Sequence, residues 1–197
     1  MKRILAGLVL AAATIAAGCD SQPRTPFNGV DVTGSDMGRE LHLLDFNGKP
    51  RSLEEFRGKV VLVTFGYTQC PDVCPTTLQD LSSAVKKLGP DASRVQVLFV
   101  TVDPKRDTPD VLRQYVPAFN TAFLGLYGDE AATRKAESDF KVYAAERPGK
   151  TPGTYTVDHS AQTYVYDPQG RLRLLVAYGF TPEAMASDLR LLLNTQG

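Results

Sequence analysis

The chain has 197 residues, with 22 Lys and Arg against 22 Asp and Glu, 43% apolar side chains, two histidines, three cysteines and no tryptophan. Balanced charge offers no basic face for nucleic acid. The length suits one domain with a real core preceded by a short leader, not a string of domains.

At the N-terminus, Lys2 and Arg3 precede an apolar run from Ile4 to Ala17, closed by Gly18, Cys19 and Asp20. The run is shorter than the about 20 apolar residues a membrane-spanning helix needs, and its layout reads as a signal peptide over residues 1–18. Ala16-Ala17-Gly18-Cys19 resembles the bacterial lipobox, whose cysteine is acylated and becomes the first residue of the mature chain. Cys19 is therefore the expected lipidation site, and Asp20 after it resembles an inner-membrane retention signal. The expected location is the bacterial inner membrane, lipid-anchored, with the domain facing the periplasm. The competing reading is a soluble periplasmic protein with a cysteine at its cleavage site. Residues 19–37, with Pro23, Pro26, Gly29 and Gly34, lack apolar periodicity and read as a flexible tether, leaving 38–197 as the folded domain. That compartment is oxidising, so a cysteine pair there is a disulfide, a redox couple or a metal site.

Leu41 and Leu43 followed by Asn47-Gly48 predict a short hairpin, in which His42 alternates outward into water. Ser52 with Glu55 reads as a capping box on a brief helical turn. Val60 to Phe65 is continuously apolar and β-branched, as in a strand covered on both faces. After Cys74, Leu78, Leu81, Val85 and Leu88 recur at helical spacing up to Gly89-Pro90, and a second buried strand follows at Val95 to Val102. Strand, helix, strand at this separation implies a right-handed crossover between parallel strands. Thr108 and Pro109 open a helix with Val111, Leu112, Tyr115 and Val116 as its buried stripe. A strand at 123–127 and a helix from Glu130 to Lys141 come next. From Val142 to Val157 the pattern dissolves into a Pro- and Gly-bearing segment that reads as a long loop. Thr163 to Tyr166 and Leu172 to Tyr178 form an antiparallel hairpin, and Thr181-Pro182 opens a last helix with Met185, Leu189, Leu192 and Leu193 inward. The sum is an α/β, thioredoxin-like three-layer fold with a central mixed sheet, an extra N-terminal hairpin and an inserted helix.

Chemistry concentrates at the end of the first buried strand. Cys70 and Cys74 lie four positions apart where strand gives way to helix, on the same side of one turn if the loop is winding into the helix. The positive end of the helix favours thiolate at Cys74. His159 directly precedes the strand 163–166, at the mouth of the site in such a fold. Two sulfurs and an imidazole form a three-donor set that suits copper as Cu(I), Cu(II) or both, whereas structural zinc wants four donors. A structural disulfide is the plain alternative for the two cysteines.

Three segments carry a family resemblance: Phe65-Gly66-Tyr67-Thr68-Gln69-Cys70-Pro71-Asp72-Val73-Cys74-Pro75, Val102 to Pro109, and Asp158-His159-Ser160. Together they resemble the Sco family of copper-binding proteins, named for synthesis of cytochrome c oxidase. The resemblance runs from about Gly38 to the final helix. It implies copper ligation by Cys70, Cys74 and His159, and a metallochaperone that assists the dinuclear copper A centre of oxidase subunit II or a related copper oxidase. Other periplasmic copper carriers are possible exchange partners, and the lipid anchor supplies the membrane contact. The alternative function is a thiol-disulfide oxidoreductase that reduces the partner's copper-site cysteines through Cys70 and Cys74. Against a general oxidoreductase stand the CxxxC spacing, the missing Trp and the absence of proline between Val157 and Ala161. A peroxidase would need polar groups around one thiolate, for which only Thr68 offers itself. Asp107 reads as cap chemistry for the following helix, and Asp103 is left without a role. Asp72 and Asp158 either orient ligands or solvate their loops, and Lys86, Lys87, Lys105 and Arg106 read as exposed charges.

Overall fold

The computed structural model describes residues 26–194; the leader, Cys19 and residues 20–25 of the expected tether lie outside the described residues. In chain order the elements are β1 (Val30–Asp31), β2 (Leu43–Asp45), β3 (Pro50–Arg51), β4 (Val60–Gly66), α1 (Val73–Lys86), β5 (Val95–Thr101), α2 (Pro109–Tyr115), β6 (Leu124–Tyr127), α3 (Glu130–Phe140), β7 (Ala144–Pro148), β8 (Tyr155–His159), β9 (Thr163–Tyr166), β10 (Leu172–Val176) and α4 (Pro182–Asn194).

Eight strands form one mixed sheet in the order β1-β10-β9-β4-β5-β6-β2-β3. Its centre is the parallel trio β4, β5 and β6, and β9 joins β4 antiparallel with Leu62 opposite Val165. Every residue of β4 and of β5 is buried, so both strands are hydrophobic on successive positions as well as alternate ones. Phe65, Tyr164 and Tyr166 meet the Phe140 ring of α3 on one face. Phe99 faces Tyr115 of α2 on the other, the side on which α1 and α4 pack together. Helix, sheet and helix layers are thus the expected three-layer arrangement.

Local chemistry sets the element ends. Asp129 accepts from the Ala132 N–H at 2.8 Å to cap α3, and Lys141 closes that helix in the left-handed conformation at φ 56°. Thr108 caps α2 through the Val111 N–H. Asn47-Gly48 makes the expected β2–β3 turn, with Gly48 at φ 77°. Buried Asp45, which the sequence reading passed over, braces that turn by accepting from the Asn47 and Lys49 N–H groups and from Arg51.

Several expectations are corrected. Ser52 makes no side-chain capping bond, and residues Leu53–Phe56 form a 3-10 turn without the capping box. Val111 is exposed, because α2 is only two turns long and Leu112 takes the inward position. The folded body begins before residue 38: β1 pairs with β10, and buried Asp188 of α4 accepts from the Asn28 and Gly29 N–H groups at 2.9 and 2.8 Å. Most consequentially, the segment read as a loop over 142–157 holds β7 and β8, which pair in a separate two-stranded sheet with Ala144 opposite His159. Only Val157 of that ribbon is buried, so no long apolar alternation marks it in the sequence.

Candidate metal centre

Strand β4 delivers the cysteines. Its last residue, Gly66, has no room for a side chain: a Cβ there would lie 2.7 Å from the Cys74 sulfur and 2.8 Å from the Phe99 ring. The chain then turns, with the Cys70 N–H on the Tyr67 carbonyl at 3.2 Å, and enters α1 at Val73. Cys74 sits in the first turn of α1 and is buried, whereas Cys70 lies in the preceding turn, partly exposed. Neither is in a disulfide.

His159 ends β8. Its Nδ1 is 2.8 Å from the Ser160 carbonyl, an oxygen that can only accept, so Nδ1 carries a proton and Nε2 is the nitrogen turned toward the sulfurs. That Nε2 lies 3.4 Å from the Cys74 sulfur, and the two sulfurs and one ring nitrogen all fall within 4.8 Å of one another. The Tyr67 ring stands edge-on to the imidazole at 5.9 Å between centroids. Ser160 fixes the end of the ribbon through its N–H to the Tyr143 carbonyl at 2.9 Å and its hydroxyl oxygen accepting from the Tyr143 N–H at 3.0 Å. Among the described residues this is the one cluster of three such donors.

The electrostatics of the pair invert the expectation from the helix end. Cys70 is pulled down to about 3, because it accepts from the Cys74 thiol, from His159 and from the backbone N–H groups of residues 72 and 74. Cys74 is pushed up because its proton is held toward Cys70 and because it is buried. The metal-free pair is therefore a Cys70 thiolate and a Cys74 thiol sharing one proton, despite the place of Cys74 at the helix N-terminus. Burial by itself lowers His159, but the Cys70 sulfur and the Ser160 carbonyl outweigh it and raise the imidazole above its ordinary value.

Behind the sulfurs lies a carboxylate that the sequence reading assigned to helix capping. Thr108 is the cap instead, and Asp107 is buried, accepting from the Thr68 N–H at 3.0 Å and from the Thr68 and Thr101 hydroxyls at 2.6 Å each. It ties the turn before Cys70 to the end of β5, and burial raises its pKa above the ordinary carboxylate value. Thr68 spends both its donors on this carboxylate, so it is not directed at Cys70 as a peroxidase would require. Asp103, left without a role, is also buried and accepts from the Tyr155 hydroxyl at 2.8 Å and from Arg106. Arg106 is no exposed charge: its guanidinium lies 3.6 Å above the Tyr155 ring and donates to Gln69 at 3.2 Å and the Tyr155 carbonyl at 2.8 Å. The remaining readings hold in simple form. Lys105 is exposed, Asp72 is exposed, His42 is exposed, and Asp158 pairs outward with Arg147 at 2.9 Å instead of with His159.

The sequence model of SCO1/SenC matches residues 31–194, well over half of the chain. The chain belongs to the SCO1/SenC family. Among curated relatives, the mitochondrial SCO2 homologue of Danio rerio is 43% identical over 133 residues, spanning 66% of this chain and 48% of that protein. The chain thus covers about half the length of that relative. Among solved structures, Bradyrhizobium japonicum ScoI with copper bound is 41% identical, with a TM-score of 0.73 over 80% of this chain and 99% of that one. Yeast Sco1 with copper bound is 30% identical, with a TM-score of 0.75 over 83% and 91%. Copper is therefore held by family members of the same fold, and the sulfur and imidazole donors gathered here form a soft set of the kind that suits it. No helix among the described residues is long and apolar enough to cross a membrane.

Proposed function

We propose that this SCO1/SenC protein is a copper metallochaperone that loads one copper ion on Cys70, Cys74 and His159 and passes it to a cytochrome c oxidase, at the dinuclear copper A centre of subunit II. The observation that carries the reading is the convergence of two sulfurs and an imidazole nitrogen within 4.8 Å from segments 85 residues apart. The donor set supports both oxidation states of the ion: two thiolates suffice for Cu(I), and the nitrogen adds affinity for Cu(II). Copper is cargo here, so release matters as much as capture. Cys70 and His159 are both partly exposed, which gives an incoming ligand a side from which to displace them one at a time. Acylation at Cys19 would hold the domain at the periplasmic face of a bacterial inner membrane, within reach of an oxidase.

The same geometry supports a second reaction. The partly exposed Cys70 thiolate can attack a partner's disulfide, forming a mixed disulfide and releasing one partner thiolate. The Cys74 sulfur, after losing its proton, then attacks Cys70 and frees the second partner thiolate, so this chain leaves oxidised and the partner reduced. The asymmetry between an ionised outer sulfur and a protonated buried one favours that order of attack.

An anaerobic copper titration of the purified protein, with the cysteine pair first reduced and then oxidised, tests the main reading. One copper per chain bound by the reduced form and none by the oxidised form is the expected result. Stoichiometric binding by both forms, or by neither, would overturn it.

A further inference from the structure

We propose that Arg106 is a positioning residue that clamps the β7–β8 ribbon to the cysteine loop and thereby sets the reach of His159 to the two sulfurs. The inference rests on the copper reading above and assigns a role to a residue outside the donor set.

The ribbon is the least supported part of the site. It forms a sheet of its own, and its inward face presents Tyr155, Val157 and His159 at alternate positions. Four residues of strand put Tyr155 about 13 Å from His159. One end is held by the Tyr143–Ser160 pair, next to the imidazole. The far end is held through Tyr155, and Arg106 is what it meets there. The guanidinium stacks on the Tyr155 ring, one of its nitrogens donates both to the Tyr155 carbonyl and to the side chain of Gln69, and its Nε pairs with Asp103. Gln69 adjoins Cys70, so a single nitrogen bridges the segment that carries a sulfur and the ribbon that carries the imidazole. The Tyr155 hydroxyl closes the arrangement on the other oxygen of Asp103.

The Arg106 Nη2 is buried without a hydrogen-bond partner among the described residues. A guanidinium placed only for its ion pair would not accept that cost; one placed between two aromatic faces does, because Tyr155 and, at 5.5 Å, Tyr67 offer their π clouds to the cation. Lysine cannot replace it, since an ammonium lacks the planar fork that reaches Gln69, Asp103 and Tyr155 together.

The test compares Arg106→Ala and Arg106→Lys with the native protein. In the metal-free protein, amide hydrogen exchange over residues 144–159 should quicken about 10-fold while β4 and β5 keep their protection, the mark of local opening. In the loaded protein, Cu(II) release should quicken about 10-fold, in the range that ligand-supporting residues command, with Cu(I) affinity changed far less. Placed in a His159→Ala background, Arg106→Lys should add nothing further to Cu(II) release, because the pair acts as a unit. Arg106→Lys keeps a cation beside buried Asp103 and is the variant that decides if Arg106→Ala fails to fold. Unchanged ribbon exchange, or an equal added loss of Cu(II) with and without His159, would overturn the clamp. If His159→Ala alone leaves Cu(II) release unchanged, the ligand assignment fails instead, and the exchange measurement still judges the clamp.

Discussion

Strand β4, which leads to Cys70 and Cys74, is buried along its whole length and hydrogen-bonded to β5 on one side and β9 on the other. Strand β8, which ends at His159, pairs only with β7 and buries a single residue. The sulfurs are therefore positioned by the core of the protein and the imidazole by an attached ribbon. A carrier gains from that division: the thiolates give a fixed seat, while the third donor can be withdrawn by a small local movement without unfolding anything central. The comparison predicts that changes on the two sides will differ in kind.

The largest effects belong to the core side. Cys70→Ser and Cys74→Ser each remove half of the soft donor pair and should lower Cu(I) affinity by more than about 100-fold, beyond what supporting residues command. Competition with a chromophoric Cu(I) chelator measures this, and parental affinity in either variant would end the paired-thiolate account. On the ribbon side, His159→Ala should speed Cu(II) release by about 10-fold or more while leaving the rate of thiol-disulfide exchange nearly as it was. Equal loss in both assays would erase the distinction between seat and ribbon.

The ribbon side also has a pH signature. Burial opposes ionisation of His159, but the Cys70 sulfur prevails and its folded value stands above the ordinary 6.5. In the metal-free, reduced protein its contribution to stability is full below the unfolded value and is lost as pH rises through the folded one. Thermal melts of the native protein and of His159→Gln across that window should converge toward alkaline pH. A difference in melting temperature that is flat with pH would show that the imidazole is not charged against the sulfur.

The same division explains what the sequence could disclose. β4, β5, α1 and α4 announce themselves by apolar runs or helical spacing because the core dictates every residue of the two strands and one face of each helix. The cysteine pair was readable from its place at a strand end. The ribbon was not, because a two-stranded sheet that buries a single residue imposes almost no periodicity, and His159 therefore read as a loop residue that gained weight only from the two cysteines facing its segment. Asp107 and Arg106 were misassigned for a related reason: they are polar residues after a Pro-bearing turn, where exposure is the ordinary outcome. Their burial depends on Thr68, Thr101 and Tyr155, residues distant or unremarkable in sequence. A buried carboxylate among hydroxyls leaves no local mark.

A milder probe of the core side is Gly66→Ala. The added methyl must displace the Cys74 sulfur or the Phe99 ring, both enclosed, and overpacking of this kind costs about 1–3 kcal/mol. Chemical denaturation should show that loss, accompanied by weaker Cu(I) binding because the sulfur is one of the two groups in the way. A stable variant with native copper affinity would mean that α1 can slide on β4, and that the seat is less rigid than its burial implies.

The smallest effect expected is at Lys105→Ala, and it sharpens the comparison from the ribbon side. Lys105 and Glu146 form a 2.7 Å ion pair between the turn after β5 and β7, spanning the same two bodies that Arg106 joins. Both partners are largely exposed, so water and salt screen the pair and its rupture should leave the melting temperature and Cu(II) release unchanged within error. Arg106, one residue on, reaches the ribbon with a half-buried, stacked and multiply bonded cation. If ribbon attachment were a matter of net charge between the two bodies, the neighbouring substitutions would behave alike; if it depends on a desolvated contact, Lys105→Ala should match the native protein in ribbon hydrogen exchange while the Arg106 variants do not.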